Sequence, residues 1–170
     1  IDFEGADIEG TKREYLIGII ERTGAKQSFH AFVANTVKEE GKMFKDALAF
    51  LKKHENAPIF HYAPYEKTAL KTLGERYRQD VKEVIQRMTD LLQVCRRCVA
   101  PETSTFQLKD FGKSLGGTWH EGMNGGQSLV LYEEYQKTKD KKVLQQIIDY
   151  NEDDVKATIL VKDWLVKNSA

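Results

Sequence analysis

IDFEGADIEGTKREYLIGIIERTGAKQSFHAFVA, residues 1–34, decides the fold. Residues 1–8, 13–22 (REYLIGIIER) and 27–34 (QSFHAFVA) are rich in β-branched and aromatic residues, and Thr23-Gly24 is a turn signal between the last two. Three strands joined by short turns give an antiparallel meander. Outward from it, Phe44, Ala47, Leu48 and Leu51 repeat at three and four within 37–54, the period of a helix with one buried face. Residues 57–63 (APIFHYA) have strand length, and Pro64 breaks them before a second helix that runs through Tyr77. The order is β-β-β-α-β-α.

Residues 80–100 are expected to be helical, with Val81, Val84, Ile85, Met88, Leu91, Leu92 and Cys95 or Val99 as apolar positions; a strand near Asp90 is the alternative. A short helix over 108–115 ends at Gly116-Gly117, a suitable C-cap pair, and 118–126 is a glycine-rich loop. Helices over 129–135 and 143–166, divided by KTKDKK (137–142), complete a helical last third. A single α/β domain over 1–170 follows.

At 170 residues, 41% hydrophobic and 31% charged with three prolines, the chain can bury a core and is no disordered tail or collagen-like repeat. No apolar run reaches membrane-span length and no signal-peptide pattern opens the chain, so a soluble, cytoplasmic protein that binds no membrane is expected. Lys plus Arg and Asp plus Glu are 26 each, so any polyanion binding must be local. Ile1 opens the chain inside a strand, so a domain cut from a longer protein is expected. Cys95 and Cys98 form a lone CxxC without further zinc ligands, expected to be two ordinary reduced thiols in or near a helix.

Three places set acids into apolar patterns, where a charge is costly unless something pairs with it. Alternation puts Asp2 and Glu4 side by side on one strand face, opposite Ile1 and Phe3. A solvated face is the plain alternative; a divalent cation would turn their repulsion into ligation. Glu66 begins the series Glu66, Leu70, Leu73, Tyr77 and would point inward, or simply favour the positive end of its helix dipole. Asp154 lies within the stripe Val143, Ile147, Tyr150, Asp154, Ala157, Val161, with Trp164 or Leu165, and Tyr150 is one turn before it. Asp149, Glu152 and Asp153 are expected on the solvent flank. Four inward acids suit two metals, which together promote in-line displacement at phosphorus.

The residues now resemble a known group, the ribonuclease H-like superfamily, and within it the DnaQ-type 3′→5′ exonucleases with a tyrosine in the last motif (DEDDy). Asp2-Phe3-Glu4 matches DxE, HYAPYEKTAL (61–70) is similar to the second motif, and Tyr150-Asn151-Glu152-Asp153-Asp154 matches YxxxD. IDFEG, NAPIFHYAPYEKTALKTL and YNEDDVKATILVKDWL look most like the domain that accompanies RecB-type nuclease and helicase modules. The resemblance implies a central mixed sheet, its first three strands antiparallel, flanked by helices. It implies Asp2, Glu4, Glu66 and Asp154 as ligands of two Mg²⁺ or Mn²⁺ ions and Tyr150 as the residue that orients the attacking water. Asp153 is the alternative ligand if the helix register shifts by one, and Glu66 replaces the family's commoner aspartate.

The activity so implied is metal-dependent 3′→5′ exonucleolysis of single-stranded DNA or frayed ends, DNA before RNA. A nucleic-acid-binding module with weak or no catalysis and a structure-selective endonuclease are the alternatives. His61 could line the site or donate to a phosphate, though a strand-end histidine is more often structural; the loop 118–126 could admit a nucleic-acid end with Trp119 stacking on a base, a flexible surface loop being the plainer alternative; and Arg96, Arg97, Lys109, Lys113 or 137–142 could meet phosphates, though lysine-rich helix ends are usually only solvated.

Overall fold

The computed structural model describes residues 1–8, 10–98, 106–120 and 125–168. Strands β1 (Asp2–Ile8), β2 (Thr11–Thr23) and β3 (Lys26–Val33) form the expected antiparallel meander, in the order β1-β2-β3. Gly10 and Gly24 occupy its two turns with positive φ, the conformation glycine adopts without penalty. β1 and β2 pair Asp2 with Gly18, Phe3 with Ile17 and Glu4 with Leu16, and a bulge follows between Glu4 and Gly5.

A 3₁₀ turn (Val37–Glu39) leads into α1 (Glu40–Lys53). Its Phe44, Ala47, Leu48 and Leu51 are buried against Ile1, Phe3, Ile17 and Ile19 on one face of the sheet, as the periodicity requires. β4 (Ile59–His61) comes beside β1 where the Ile1 backbone nitrogen donates to the Phe60 carbonyl at 3.0 Å. α2 (Tyr65–Arg76) follows Pro64, with Glu66, Leu70 and Leu73 turned inward.

Residues 80–98 are not one helix, and the alternative, a strand near Asp90, is what forms. α3 (Lys82–Gln86) ends before β5 (Met88–Asp90), which pairs parallel with β4, and α4 (Leu91–Cys98) follows. The apolar spacing through Met88 and Leu91 fits a helix, but pairing with a distant strand overrides it. Asp90 then ties the junction together: Oδ1 accepts from the backbone N–H groups of Leu92 and Gln93 at the start of α4, and from Ala63 at 3.0 Å. Among the described residues β4 and β5 form a parallel two-stranded sheet of their own, beside the three-stranded antiparallel one and touching it through the Ile1–Phe60 bond, so the strand directions are mixed but the ladder is not continuous.

α5 (Leu108–Ser114) ends at Gly116, whose φ of +87° is the glycine stop foreseen above. α6 (Gly125–Thr138) starts before the expected 129, and α7 (Lys141–Asn168) is a single helix of 28 residues. The first half of α7 packs with α6 over Ala6, Tyr15 and Leu16; the second half packs with α4 and α5 around Tyr62, Cys95 and Phe111. Cys95 is a buried thiol in α4, whereas the Cys98 side chain lies outside the described residues. Among the described residues, no helix is long and apolar enough to cross a membrane.

Candidate metal centre

β1 carries Asp2 and Glu4 on the face turned toward α6 and α7, while Ile1 and Phe3 enter the core beneath α1. The middle of α7 crosses this face and brings Asp154 to them. One carboxylate oxygen from each of Asp2, Glu4 and Asp154 lies within 4.8 Å of the others. The three residues are separated by up to 152 positions in the chain and come from a strand and a helix that only tertiary packing unites.

Each carboxylate is held by a neutral donor from a different place in the chain. Asn151 Nδ2 donates to Asp2 Oδ2 at 2.6 Å, and the amide also favours the ionised form of the nearby Glu4. The Ser128 hydroxyl of α6 donates to Glu4 Oε2 at 2.9 Å and pairs with the Tyr15 hydroxyl. Trp119 Nε1 donates to Asp154 Oδ1 at 2.7 Å, and Tyr150, one turn away, lies close enough for its hydroxyl and the Asp154 carboxylate to shift each other's ionisation. Neutral donors orient acids without neutralising them.

Packing explains why these donors fit. Gly18 faces Asp2 across the ladder, and a Cβ there would overlap Asn151 Oδ1, so the missing side chain makes the seat of the amide. Gly112 does the same for the Trp119 ring, which lies over α5. Trp119 is thereby tied to Asp154 through its N–H and to Gly112 through one edge of its ring, and the ring remains half-buried.

The electrostatics show an uncompensated site. Burial, then the neighbouring Glu4, Asp154 and Glu66, push Asp2 well above the ordinary carboxylate range. Burial raises Glu4 from 4.5 to about 7 against the opposing Ser128 hydrogen bond. Asp154 is also raised, chiefly by burial, with Trp119, Tyr150 and Lys109 opposing. A compact set of hard oxygens that resists its own ionisation is what a divalent cation stabilises, so the residues present fit Mg²⁺ or Mn²⁺.

This fixes a pH dependence. A carboxyl raised in the folded state destabilises that state only when ionised. For Glu4 the cost is absent below pH 4.5 and complete above about 7, on the order of 3 kcal/mol. Metal-free protein should lose thermal stability across that interval, and millimolar Mg²⁺ should restore more at pH 8 than at pH 5, where protons compete for the same oxygens. Equal stabilisation by Mg²⁺ at both values in a thermal scan would contradict this.

Glu66 is not brought into the three-acid group. It is buried as expected, yet Oε2 lies 3.3 Å from His61 Nδ1, and its charge reaches Asp2 only as a neighbour. His61 is fully buried and also bonds the Ala63 carbonyl at 2.7 Å through Nδ1. Ala63 holds a φ of +77°, an uncommon conformation for a residue with a side chain, and is gripped on both sides, by Asp90 at its N–H and His61 at its carbonyl. This clamp turns the chain so that α2 presents Glu66 inward.

Asp153 overturns its expected place on the solvent flank. It is 6% exposed and accepts from the His120 backbone N–H at 2.8 Å and from His120 Nδ1 at 2.6 Å. Residues 118–120 cover a second face of α7, which one apolar stripe does not reveal. The neighbouring acid, Asp154, is the one that meets Asp2 and Glu4. Sequence periodicity also missed Asn151 and Ser128, both fully buried, because neutral polar residues leave no charge anomaly to notice.

Among the basic residues, Lys109 acts on Asp154, while Arg96, Arg97 and Lys113 are exposed. Lys139 is engaged with the Asn35 carbonyl and Gln136. Residues 121–124 of the glycine-rich loop lie outside the described residues. Ser128→Ala is expected to weaken Mn²⁺ binding by about 10- to 100-fold, since it removes the donor that aims Glu4. Isothermal titration checks this, and unchanged affinity would remove Ser128 from the site.

Comparison with curated proteins and with solved structures gives no match. A family model described as the RNase_H superfamily (RNase_H_2) matches residues 1–166, almost the whole chain. With its meander, its mixed strand directions and its carboxylate cluster, the chain belongs to the RNase H superfamily, a superfamily of nucleic-acid hydrolases.

Proposed function

We propose that the protein is a metal-dependent 3′→5′ exonuclease that hydrolyses phosphodiester bonds of single-stranded DNA or frayed ends. The observation that carries this is the meeting of Asp2, Glu4 and Asp154 within 4.8 Å, each held by a neutral donor. These three would hold the cations, with Glu66 as the fourth acid behind Asp2. When bound, two Mg²⁺ or Mn²⁺ ions supply an activated water and charge stabilisation at the leaving oxygen.

The chain's own residues do the rest. Burial and the adjacent Asp154 raise Tyr150, so its hydroxyl keeps its proton at neutral pH and orients a water rather than deprotonating it. Trp119 and Asn151 keep the carboxylates aimed while substrate exchanges. Lys109, whose charge is felt at Asp154, offers a cation beside the place where a phosphate would sit.

DNA labelled at its 5′ end tests the proposal: with Mg²⁺ it should shorten stepwise from the 3′ end, while an end-blocked circle stays intact. Cutting of the circle at a similar rate would make the protein an endonuclease instead. The engagement of Glu66 with His61 favours a second reading, a nucleic-acid-binding module inside a larger helicase- or RecB-type nuclease-containing protein. Absence of Mn²⁺ binding at millimolar concentration, together with absence of cleavage, would establish that reading.

A further inference from the structure

Two neighbouring residues of one segment hold two neighbouring acids of α7. Trp119 Nε1 donates to Asp154 Oδ1 at 2.7 Å, and His120 gives Asp153 Oδ2 two bonds, from its backbone N–H at 2.8 Å and from Nδ1 at 2.6 Å. Successive residues of a helix point about 100° apart, so Asp153 and Asp154 leave α7 in different directions. Of the two, Asp154 is the one that meets Asp2 and Glu4. Asp153 is buried by the segment it binds.

The path of the chain explains the clasp. After α5 the Gly117 N–H donates to the Gly112 carbonyl at 2.8 Å, and a Cβ on Gly117 would press on that carbonyl and on Leu160 of α7. The chain therefore runs close beside both helices. Gly112 admits the benzo end of the Trp119 ring, and the other end carries the N–H that reaches Asp154. The flat indole is a strut between α5 and Asp154. A strut aims only as well as its base is fixed, and this base is the backbone at 119–120. The His120 side chain is 60% exposed, so its bonds to Asp153, rather than apolar burial, fasten it.

We propose that His120 and Asp153 are positioning residues of the metal centre, which hold the backbone from which Trp119 aims Asp154. Asp153 thereby serves the site without ligating a cation. The consequence for cation binding rests on Asp154 being a ligand, whereas the clasp itself is measurable in the metal-free protein.

Exchange of the Trp119 indole N–H with solvent, read by NMR in the metal-free protein, tests the clasp, with the Trp164 indole as control. His120→Ala, at an exposed position, should speed Trp119 exchange about tenfold, the equivalent of one hydrogen bond to a charged acceptor, and leave Trp164 unchanged. His120→Asn, whose amide nitrogen can stand in for Nδ1, should restore the slow rate. Mn²⁺ affinity in isothermal titration should fall about threefold in His120→Ala and fall no further when that change is added to Trp119→Phe. Unchanged Trp119 exchange in His120→Ala would overturn the proposal. So would additive losses of affinity in the double variant, since His120 would then act on the centre by another route. Failure of the unaltered protein to bind Mn²⁺ would instead sink the metal reading, with the clasp upheld or overturned by the exchange rates.

Discussion

Asp2→Asn and Asp154→Asn are each expected to reduce Mg²⁺- or Mn²⁺-dependent hydrolysis by about 10³-fold or more and to raise the thermal midpoint of the metal-free protein. The two effects have one origin. Asp2 is held near Glu4, Asp154 and Glu66, and burial leaves that charge poorly solvated. Removing one carboxylate relieves the apo state, but it also removes a ligand from a centre asked for several kcal/mol of charge stabilisation; about 4 kcal/mol corresponds to about 10³ in rate. Asparagine keeps the shape and a hydrogen-bonding oxygen, so the fold should survive. Rate measurements beside calorimetry check both effects, and undiminished cleavage by the two variants would exclude these residues from the chemistry.

The second large effect is expected from a residue with no functional group. Gly18→Ala puts a methyl where Asn151 Oδ1 lies, so the amide must leave its seat, Asp2 loses its donor and Glu4 loses a neighbour that favours its ionised form. A displacement near 1 Å at a reacting centre costs about 10² in rate, and overpacking costs about 1–3 kcal/mol of stability. Asn151→Ala should reproduce most of the kinetic loss without the steric strain. Combining the two separates the causes: if Gly18 acts through Asn151, adding Gly18→Ala to Asn151→Ala should change turnover little. Additive losses in the double variant would instead show that Gly18 matters to the sheet itself.

Much of this architecture was legible in the sequence because it rests on local periodicity. The alternation of Ile1, Asp2, Phe3 and Glu4 assigned the two faces of β1, and the stripe through Ile147, Tyr150 and Asp154 assigned one face of α7. What escaped depends on contacts between distant segments. β5 is three residues long and exists through its pairing with β4, so its one apolar residue, Met88, continues the helical spacing, and a strand near Asp90 stood in the sequence only as the alternative. Asp153 is buried by residues 118–120, a cover that no pattern within α7 records. Asn151 and Ser128 are ordinary polar residues until Gly18 and Tyr15 are placed beside them. Glu66 was foreseen as buried, but its partner His61 depends on the conformation of Ala63.

The 28 residues of α7 place Asp154 near the midpoint of a rod about 42 Å long, gripped at either end by a different apolar cluster. Each cluster seats one end of the rod, so loosening either seat should shift the carboxylate between them although neither seat touches it.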